Sequence, residues 1–579
     1  MELWKKLYSR RGKRCILKYY LRKILGKPFL NIGRYLICVS LGSCQVSSCN
    51  LQFRKLIKKF LFEESGPFPY IIQYLSIKHS FKFGMQRCLL FLKPKEENQL
   101  IPTFIFMSDS KFQIKTDSGL YTDMYELAMA EAYFKQGIHN TPASFDYFFR
   151  KLPFAGGYVI FCGLGELLPV IENLHFSPGE IDWLHKNGFG KDFLEWLKAF
   201  RFKGLIRSMP EGEIAFPLEP LLQVAGSLAE VQLIETLLLN YLNFHSLIAT
   251  KAARIRYAAG DRHLSEFGLR RSQALGGIAA SGAAIAGGFD STSNVYAAKR
   301  YDIKASGTMA HSFIQSHENE LTAFRKFTEA HPKNSTLLVD TYDTLKSGVP
   351  NAIIIAKEMK QKGQQLQAIR LDSGDLAYLS KRSRKMLDDA GFNEVQIVVS
   401  NQLDEYLIKS LLDQKAPIDV FGVGTSLATG QPDAALDGVY KLCEIDGKPK
   451  IKLSENIQKV TLPGNKQVYR YTDEEGCFVA DAIGLAKDNI PTQMIHPYDP
   501  EKSMLLNTKM ATPLLHKIME NGKSLLENYE PKDVAAFSRK RLKLLPDEHK
   551  RFNNPHIYKV GISEPLHQLR NDLRREYKM

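Results

Sequence analysis

The chain has 579 residues, of which 44% are hydrophobic and 24% are charged, and it contains 40 Gly and 26 Pro. This composition is typical of a packed protein with several domains or one large domain with insertions. It excludes collagen, low-complexity disorder and a disulfide-dense secreted scaffold. The sequence contains no apolar run of 18 residues, so a membrane-spanning helix is not expected.

The positive charge of the chain is concentrated at its start. Residues 1–106 contain 20 Lys and Arg, 5 Glu and no Asp, which accounts for +15 of the total net charge of +16. Five of the eight cysteines also lie there. The rest of the chain is nearly neutral and poor in cysteine, which suits a reducing cytoplasm. Its charge gives no reason to expect nucleic acid as a partner of the body.

Three interpretations of the basic leader, residues 1–106, remain open. It is an organelle transit peptide, a basic amphipathic segment that contacts anionic membrane surfaces, or a segment that is not part of the native protein. The abrupt change to ordinary composition at Met107 favours the third interpretation. On that interpretation, a protein that starts at Met107 is expected to fold and to keep full activity.

The segment that follows the leader predicts a mixed helix and strand region. Apolar residues recur at helical spacing in 122–137, and Gly137 ends that pattern. Residues 144–153 read as a strand, and 212–228 as a turn-broken β region. Residues 228–260 predict one long apolar helix or a bent pair. We assign residues 107–240 to the N-terminal part of a mixed α+β domain.

A repeating strand and helix pattern then occupies the middle of the chain. Short β-type runs recur with their ends roughly 23 to 33 residues apart, and helical patterns separate them. This spacing predicts a parallel sheet or barrel, which we place within residues 241–440. After about residue 440 the pattern becomes polar and irregular, so residues 441–579 are expected to return to the mixed domain. The β-type runs are 303–307, 336–340, 367–371, 395–400 and 418–423.

Each predicted strand is followed by polar residues and glycine. Carboxyl ends of parallel strands form the ligand site in such folds, and glycine lets backbone N–H groups approach phosphate. Aspartates at the same edge suit Mg²⁺ bound to substrate phosphates. Taken singly, each segment is equally consistent with a helix N-cap or a tight turn; together they favour a phosphate-rich ligand. The segments are SGTMAHSF (306–313), VDTYDT (339–344), RLDSGD (370–375), SNQLDE (400–405) and FGVGTSL (421–427).

The sequence lacks other common nucleotide and metal motifs. It has no GxxxxGK[ST] P-loop, no GxGxxG and no CxxC pair, so a zinc site is not expected. His311 follows a strand at the edge shared by the aspartate segments, and it is either a packing residue or a functional one. Arg270 and Arg271 precede a run of small residues and are either a solvated pair or a clamp for phosphate or carboxylate.

These motifs resemble those of the nicotinate phosphoribosyltransferase family. The resemblance extends from about residue 107 to near the C-terminus. The stretch after LRR, which follows Arg270 and Arg271, departs from the family pattern. The motifs that carry it are TDMYELAMAEAYF, FFRKLPFAGGYVIFCGL, GEIAFPLEPLLQV, ETLLLNYLNFHSLIATKAARIR, LRRSQ, GGFDSTSN, GTMAHSF, IRLDSGDL and FGVGTSL.

The resemblance implies an irregular α/β barrel of the type II phosphoribosyltransferase fold, flanked by a mixed domain built from both chain ends. It implies transfer of phosphoribose from phosphoribosyl pyrophosphate to nicotinate, giving nicotinate mononucleotide and pyrophosphate. It also implies Mg²⁺, coupling to ATP hydrolysis through a phosphorylated His311, and a homodimer with sites at the subunit interface.

The resemblance further implies roles for individual residues. Catalysis falls to His311, Arg370 and Asp372, and Asp340 is placed near the ribosyl pyrophosphate and its Mg²⁺. Tyr125, contributed by the neighbouring subunit, is expected to stack on the pyridine ring opposite Phe267. The other residues expected to bind the base are Arg270, Asp290 and Ser312. The others expected to bind ribose or phosphate are Ser373, Gly374, Ser400, Asn401, Gly424 and Thr425.

Alternatives to this function remain at this level. The shared histidine and aspartate segments do not separate nicotinate from nicotinamide as the substrate, although the motif wording favours nicotinate. A quinolinate-using enzyme would need positive charge for two carboxylates and is expected to be much shorter. An inactive relative that only binds the substrate is opposed by the intact His311, Asp340 and Asp372.

Overall fold

The computed structural model describes residues 87–94, 100–107, 117–527 and 529–577. Chain contacts divide the protein into two compact units, with the boundary between Phe112 and Gln113. The first unit contains an antiparallel hairpin in which Arg87 lies opposite Met107. The expectations for the leader otherwise lie outside the described residues.

The described strands extend over both units. In chain order they are β1 (Arg87–Pro94), β2 (Leu100–Met107), β3 (Pro142–Phe149), β4 (Val159–Ile160), β5 (Leu205–Ser208), β6 (Ile214–Ala215), β7 (Leu222–Ser227), β8 (His263–Glu266), β9 (Ser291–Thr292), β10 (Thr336–Leu338), β11 (Ala368–Leu371), β12 (Gln396–Val399), β13 (Val420–Val423), β14 (Gly438–Ile445), β15 (Lys448–Pro449), β16 (Lys466–Thr472), β17 (Phe478–Leu485), β18 (Gln493–Ile495), β19 (Ser503–Leu505), β20 (Ala511–Pro513), β21 (His516–Glu520), β22 (Lys523–Ser524) and β23 (Val560–Ile562).

The described α-helices lie in the second unit. They are Met124–Lys135, Leu164–Asn173, Pro178–Lys186, Lys191–Lys198, Leu228–Leu233, Glu235–Ala259, Gly276–Ala286, Val295–Arg300, His311–Gln315, Glu320–Ala330, Val349–Gln361, Leu376–Asp389, Glu405–Asp413, Thr425–Ala428, Pro531–Leu544 and Glu564–Glu576. Among these described helices, none is long and apolar enough to cross a membrane.

The middle of the chain forms an irregular α/β barrel, as the resemblance implied. Its sheet has the order β10-β11-β12-β13-β8-β9, and every ladder in it is parallel. The predicted strand at 303–307 appears only as a single bridge between Ala305 and Thr292. On the other side, the Thr308 hydroxyl donates to the Thr336 carbonyl at 2.5 Å. The barrel is therefore closed by a segment that is not itself a regular strand.

The flanking domain is built from both ends of the second unit. One sheet has the order β15-β14-β3-β7-β5-β21-β22, so three strands from before the barrel lie between two pairs of strands from after it. A second sheet, β19-β18-β23-β17-β16-β20, comes entirely from after the barrel. This arrangement confirms the expected mixed domain. Most strands of residues 441–579 have five residues or fewer, which accounts for the irregular pattern there, whereas β16 and β17 have seven and eight residues.

A long helix joins the flanking domain to the barrel. The sequence predicted one helix or a bent pair over 228–260, and the structure has the pair Leu228–Leu233 and Glu235–Ala259. Leu238 near the start of the longer helix packs in the core of the flanking domain. Ile255 near its end packs in the core of the barrel. The helix therefore holds the first barrel strand, β8, against the flanking domain.

Candidate active site

The carboxyl ends of the barrel strands carry the polar segments that the sequence singled out. Some of their aspartates are helix caps. Asp375 accepts the Tyr378 N–H at 2.9 Å, and Asp404 accepts the Leu407 N–H at 2.8 Å. Asp343 likewise accepts backbone N–H groups from the turn that follows it. These three side chains accept backbone N–H groups at the starts of the helical turns that follow them. Other residues therefore line the shared edge of the strands.

Asp340 and Asp372 join neighbouring strand ends. One oxygen of Asp340, Oδ2, accepts the backbone N–H of Asp372 at 2.9 Å and the hydroxyl of Ser373 at 2.5 Å. The other oxygen, Oδ1, is buried and has no hydrogen-bond partner among the described residues. Because a buried carboxylate oxygen without a donor is costly, this atom is suited to a cation or to a ligand hydroxyl.

Arg370 lies on β11 between the end of the neighbouring strand and the ring of Phe267. Its Nε donates to the Ser400 hydroxyl at 2.9 Å, and its Nη2 donates to Asp372 Oδ1 at 2.9 Å. The Ser400 hydroxyl also donates to Asp372. The guanidinium carbon lies 5.5 Å from the centre of the Phe267 ring. These contacts fix a positive charge beside an aromatic face at the edge of the barrel.

His311 begins a short helix at the same edge. Its Nδ1 lies 3.1 Å from the Thr341 hydroxyl oxygen, and its Nε2 lies 3.9 Å from Asp372 Oδ2. The side chain is 41% exposed, so it is accessible to a ligand. The contact with Thr341 could not be foreseen from the sequence, although Thr341 lies in the VDTYDT segment. It orients one ring nitrogen while the other faces the carboxylate.

Phe267 and its glycine neighbours form one wall of the site. The Phe267 N–H donates to the Val423 carbonyl at 2.7 Å. A Cβ atom on Gly422 would lie 2.5 Å from Phe267 Cε2, so only glycine lets the ring lie against β13. Gly424 follows that strand, and Thr425 begins the next short helix. The two residues expected to hold phosphate thus lie beside the expected base-stacking ring.

The remaining loop residues at this edge are Gly374, Asn401 and Ser312. Gly374 has a φ of +76° and Asn401 a φ of +87°, so both make left-handed turns directly after strand ends. Ser312 is the second residue of the His311 helix and is exposed. These placements agree with the predicted edge but do not by themselves assign a ligand contact.

Arg270 and Arg271 lie in a short 3-10 turn that follows Phe267. Both are exposed, and their side chains make no hydrogen bond or ion pair within the described residues. They are therefore free to meet an anionic ligand near the Phe267 wall. That position agrees with the expectation for Arg270.

Asp290 lies apart from the carboxyl-end residues within the chain. It precedes β9, and its carboxylate accepts the Leu264 N–H at 2.8 Å near the start of the parallel strand β8. Its other partner is the Arg256 guanidinium. Asp290 therefore ties together the amino ends of two strands, and the structure separates it from the carboxyl-end residues. Ser293, which follows β9, occupies the carboxyl edge instead.

Tyr125 is also apart from the other residues within the chain. It lies on the first helix of the flanking domain, is 47% exposed, and interacts with Glu126, Glu235 and Thr236. Burial and these carboxylates raise the pKa of its hydroxyl. No contact between the rings of Tyr125 and Phe267 is found among the described residues.

Sequence reasoning missed Glu266, the last residue of β8. Its buried carboxylate accepts hydrogen bonds from Gly268, Ser281 and Thr292, and burial raises its pKa. The sequence could not single out Glu266, because an exposed glutamate at a strand end gives the same pattern as a buried one. Only its burial in the structure indicates a special role. The described residues also contain no group of three or more His, Cys, Asp or Glu that could hold a metal ion.

Three family models match the chain. They are the nicotinate phosphoribosyltransferase N-terminal domain over residues 120–243, the nicotinate phosphoribosyltransferase family over 262–486 and the C-terminal domain over 465–570. Together they span the flanking domain and the barrel.

Curated relatives and solved structures agree with these matches. The nicotinate phosphoribosyltransferase of Bacillus subtilis is 43% identical, covering 78% of this chain and 95% of the relative. That of Caenorhabditis elegans is 36% identical, covering 78% and 93%. The crystal structure of human nicotinic acid phosphoribosyltransferase is 30% identical, with a TM-score of 0.71 and coverage of 78% and 99%. A nicotinate-nucleotide pyrophosphorylase from Pyrococcus furiosus is 26% identical, with a TM-score of 0.59 and coverage of 76% and 99%.

A relative at 43% identity is matched over 95% of its length, and the family models cover both the flanking domain and the barrel. The chain belongs to the nicotinate phosphoribosyltransferase family.

Proposed function

We propose that this protein transfers phosphoribose from phosphoribosyl pyrophosphate to nicotinate, giving nicotinate mononucleotide and pyrophosphate, with coupling to ATP hydrolysis. One observation carries the proposal. The strand-end residues Asp340, Arg370, Asp372 and His311, which come from separate segments of the chain, form one set of contacts beside the Phe267 ring.

The chemistry requires positioning more than proton transfer. The pyridine nitrogen of nicotinate is already nucleophilic, and it forms the bond to ribose carbon 1 as the bond to pyrophosphate breaks. The departing oxygens gain negative charge, which the Arg370 guanidinium and the free Arg270 side chain are placed to stabilise. The Phe267 ring orients the pyridine, and holding both substrates together supplies much of the rate.

The Asp340 carboxylate fits a bound Mg²⁺. Its Oδ1 is buried without a partner, and a single carboxylate of this kind suits an ion held mainly by substrate oxygens. When bound, the ion would neutralise charge on the pyrophosphate. Asp340 and the adjacent Ser373 would then hold the substrate in register with Arg370.

His311 is the proposed acceptor of the γ-phosphoryl group of ATP. The imidazole would form a bond to phosphorus as ADP leaves, and water would later release phosphate. Thr341 at Nδ1 and Asp372 facing Nε2 restrict the ring to one orientation, which favours a defined geometry for this step.

We further propose a homodimer in which Tyr125 completes the base site of the partner. Tyr125 is exposed beside Met124, which is also exposed, and its own chain gives it no contact with Phe267. An aromatic residue with a free face at a surface is suited to stacking on a ligand held by another subunit. A cytoplasmic location is proposed on the free state of Cys162, Cys443 and Cys477.

The test of the transfer reaction compares nicotinate with nicotinamide, each with phosphoribosyl pyrophosphate, with and without ATP. Product from nicotinate that increases with ATP supports the proposal. Product from nicotinamide alone would favour the nicotinamide reaction, and substrate binding without product would favour an inactive relative.

The test of ATP coupling uses γ-labelled ATP. The wild-type protein should acquire acid-labile, base-stable label, and His311→Ala should lose the label while keeping slow synthesis without ATP. His317→Ala is a matched control, because His317 lies in the same region and bonds only to neighbouring groups. Label on the His311→Ala protein would refute the assignment.

The test of the shared site mixes two impaired variants. Tyr125→Ala should raise the KM for nicotinate much more than the KM for ATP, since a stacking face is lost. Mixed with His311→Ala subunits, it should regain about one competent site per heterodimer. An unchanged nicotinate KM would mean that Tyr125 only packs its helix.

A further inference from the structure

Glu266 is a buried carboxylate at the edge of the active site that no positive charge balances. Its side chain is 1% exposed, and no Lys, Arg or His lies within ion-pair distance among the described residues. Instead it accepts hydrogen bonds from the Gly268 N–H, from the Ser281 hydroxyl at 2.9 Å and from the Thr292 hydroxyl at 2.5 Å. Burying such a group is costly unless every oxygen is satisfied, so its position calls for a reason.

The three donors to Glu266 come from three different segments. Gly268 directly follows the Phe267 ring, Ser281 lies on the helix Gly276–Ala286, and Thr292 ends the neighbouring strand β9. The Glu266 backbone carbonyl also accepts the Ser293 N–H at 2.8 Å. One residue therefore ties the wall that carries Phe267 to the segment that follows β9.

The backbone of Phe267 is held from both sides as a result. Its own N–H donates to the Val423 carbonyl, and the next peptide N–H donates to Glu266. A Cβ atom on Gly268 would clash with Ala428, so the loop has little room to shift while this bond is intact. Loss of the carboxylate would free the loop on one side and let the ring move relative to Ser293.

We infer that Glu266 is a positioning residue for nicotinate, which sets the separation between the Phe267 ring and the Thr292–Ser293 segment. The inference rests on the proposed function, because it takes the Phe267 ring as one face of the base site. It predicts that changes at Glu266 act on the base and leave the phosphate side of the site, built on β10 to β13, much less affected.

The conservative variant Glu266→Gln should largely preserve this arrangement. Its amide oxygen can still accept the Gly268 N–H. Its amide nitrogen can donate to the Ser281 hydroxyl, which has an alternative acceptor in the Gly277 carbonyl at 2.9 Å. Glu266→Ala has neither option and leaves the Gly268 N–H buried without a partner.

The experiment measures kcat, the KM values for nicotinate and phosphoribosyl pyrophosphate, and the melting temperature for both variants. Glu266→Ala should raise the nicotinate KM by about tenfold or more and the phosphoribosyl pyrophosphate KM by less than about twofold. Glu266→Gln should stay within about threefold of the wild type for both. The matched control is Glu320→Ala, another buried glutamate, whose partners Ser347 and Asn351 lie in the turn after Asp343 and in the helix Val349–Gln361. It should lower the melting temperature without separating the two KM values.

Several outcomes would overturn the inference. In one, Glu266→Ala folds and its nicotinate KM is unchanged, and in another both KM values rise together. If Glu266→Ala does not fold, Thr292→Val removes one donor and should still raise the nicotinate KM selectively; a parallel rise would refute the inference. Failure of the proposed function can be told apart from failure of this inference. If the proposed function is wrong, the wild-type protein forms no product from nicotinate, and the inference about Glu266 is then refuted as well.

Discussion

Glu126→Gln should change the free energy of unfolding differently at different pH. Compared with the wild type, the variant should be more stable at pH 8 than it is at pH 5. Glu126 is 0% exposed, and the Gln232 side-chain amide donates to it at 2.6 Å and to Glu235 at 2.9 Å. Burial, with the Glu235 charge adding to it, raises the pKa of Glu126 from its usual 4.5 to about 7. The folded protein therefore holds this proton more tightly than the unfolded chain does.

The sign and size of the effect follow from this difference. The protonated carboxyl contributes to the free energy of unfolding. This contribution is fully present below about pH 4.5 and is lost as the pH rises through about 7. Each tenfold change in proton affinity corresponds to about 1.4 kcal/mol, so the loss approaches about 3 kcal/mol above pH 7. Glutamine does not titrate, so the stability of the variant does not fall in this way. Between pH 5 and pH 8 its free energy of unfolding should therefore rise relative to that of the wild type by up to this amount.

The measurement is urea unfolding of both proteins at several pH values from 5 to 8. Tryptophan fluorescence reports this region, because the Trp196 ring lies 6.2 Å from Phe134 on the same helix as Glu126. Glu131→Gln is a matched control for removing a carboxylate from that helix, where Glu131 pairs with Lys135 at 3.1 Å. A stability difference between Glu126→Gln and the wild type that stays constant across this pH range would refute the reasoning.

Three further predictions follow from packing and from composition. Gly422→Ala should displace the Phe267 ring and raise the nicotinate KM, whereas Gly179→Ala, where an added Cβ meets no atom within 4 Å, should not. Arg470→Met should lower the free energy of unfolding by about 3–5 kcal/mol, measured by denaturant titration, because it leaves the buried Asp481 carboxylate without its cation, while Glu213 keeps Arg541. A protein that starts at Met107 should fold and show the activity of the full chain, and loss of folding would contradict the interpretation of the leader.

The sequence by itself determined the class of the fold and the edge at which the site lies. The spacing of the β-type runs predicted the parallel barrel, and the polar residues after each run marked the carboxyl ends of its strands. These features are local, because a buried strand needs apolar residues and its end needs turn residues wherever it lies. The motifs identified the family, and its models span the same part of the chain.

Only the tertiary structure decided which of the polar residues come together at the candidate site. Asp375 and Asp340 both follow strands, yet the first caps its own helix and the second joins a neighbouring strand end. Asp290 lies at the opposite edge of the sheet, while Glu266, which no sequence pattern marked, lies buried beside Phe267. A sequence pattern specifies residue type and local conformation. The hydrogen-bond partners that distinguish these carboxylates come from segments up to tens of residues away, and only folding brings them together.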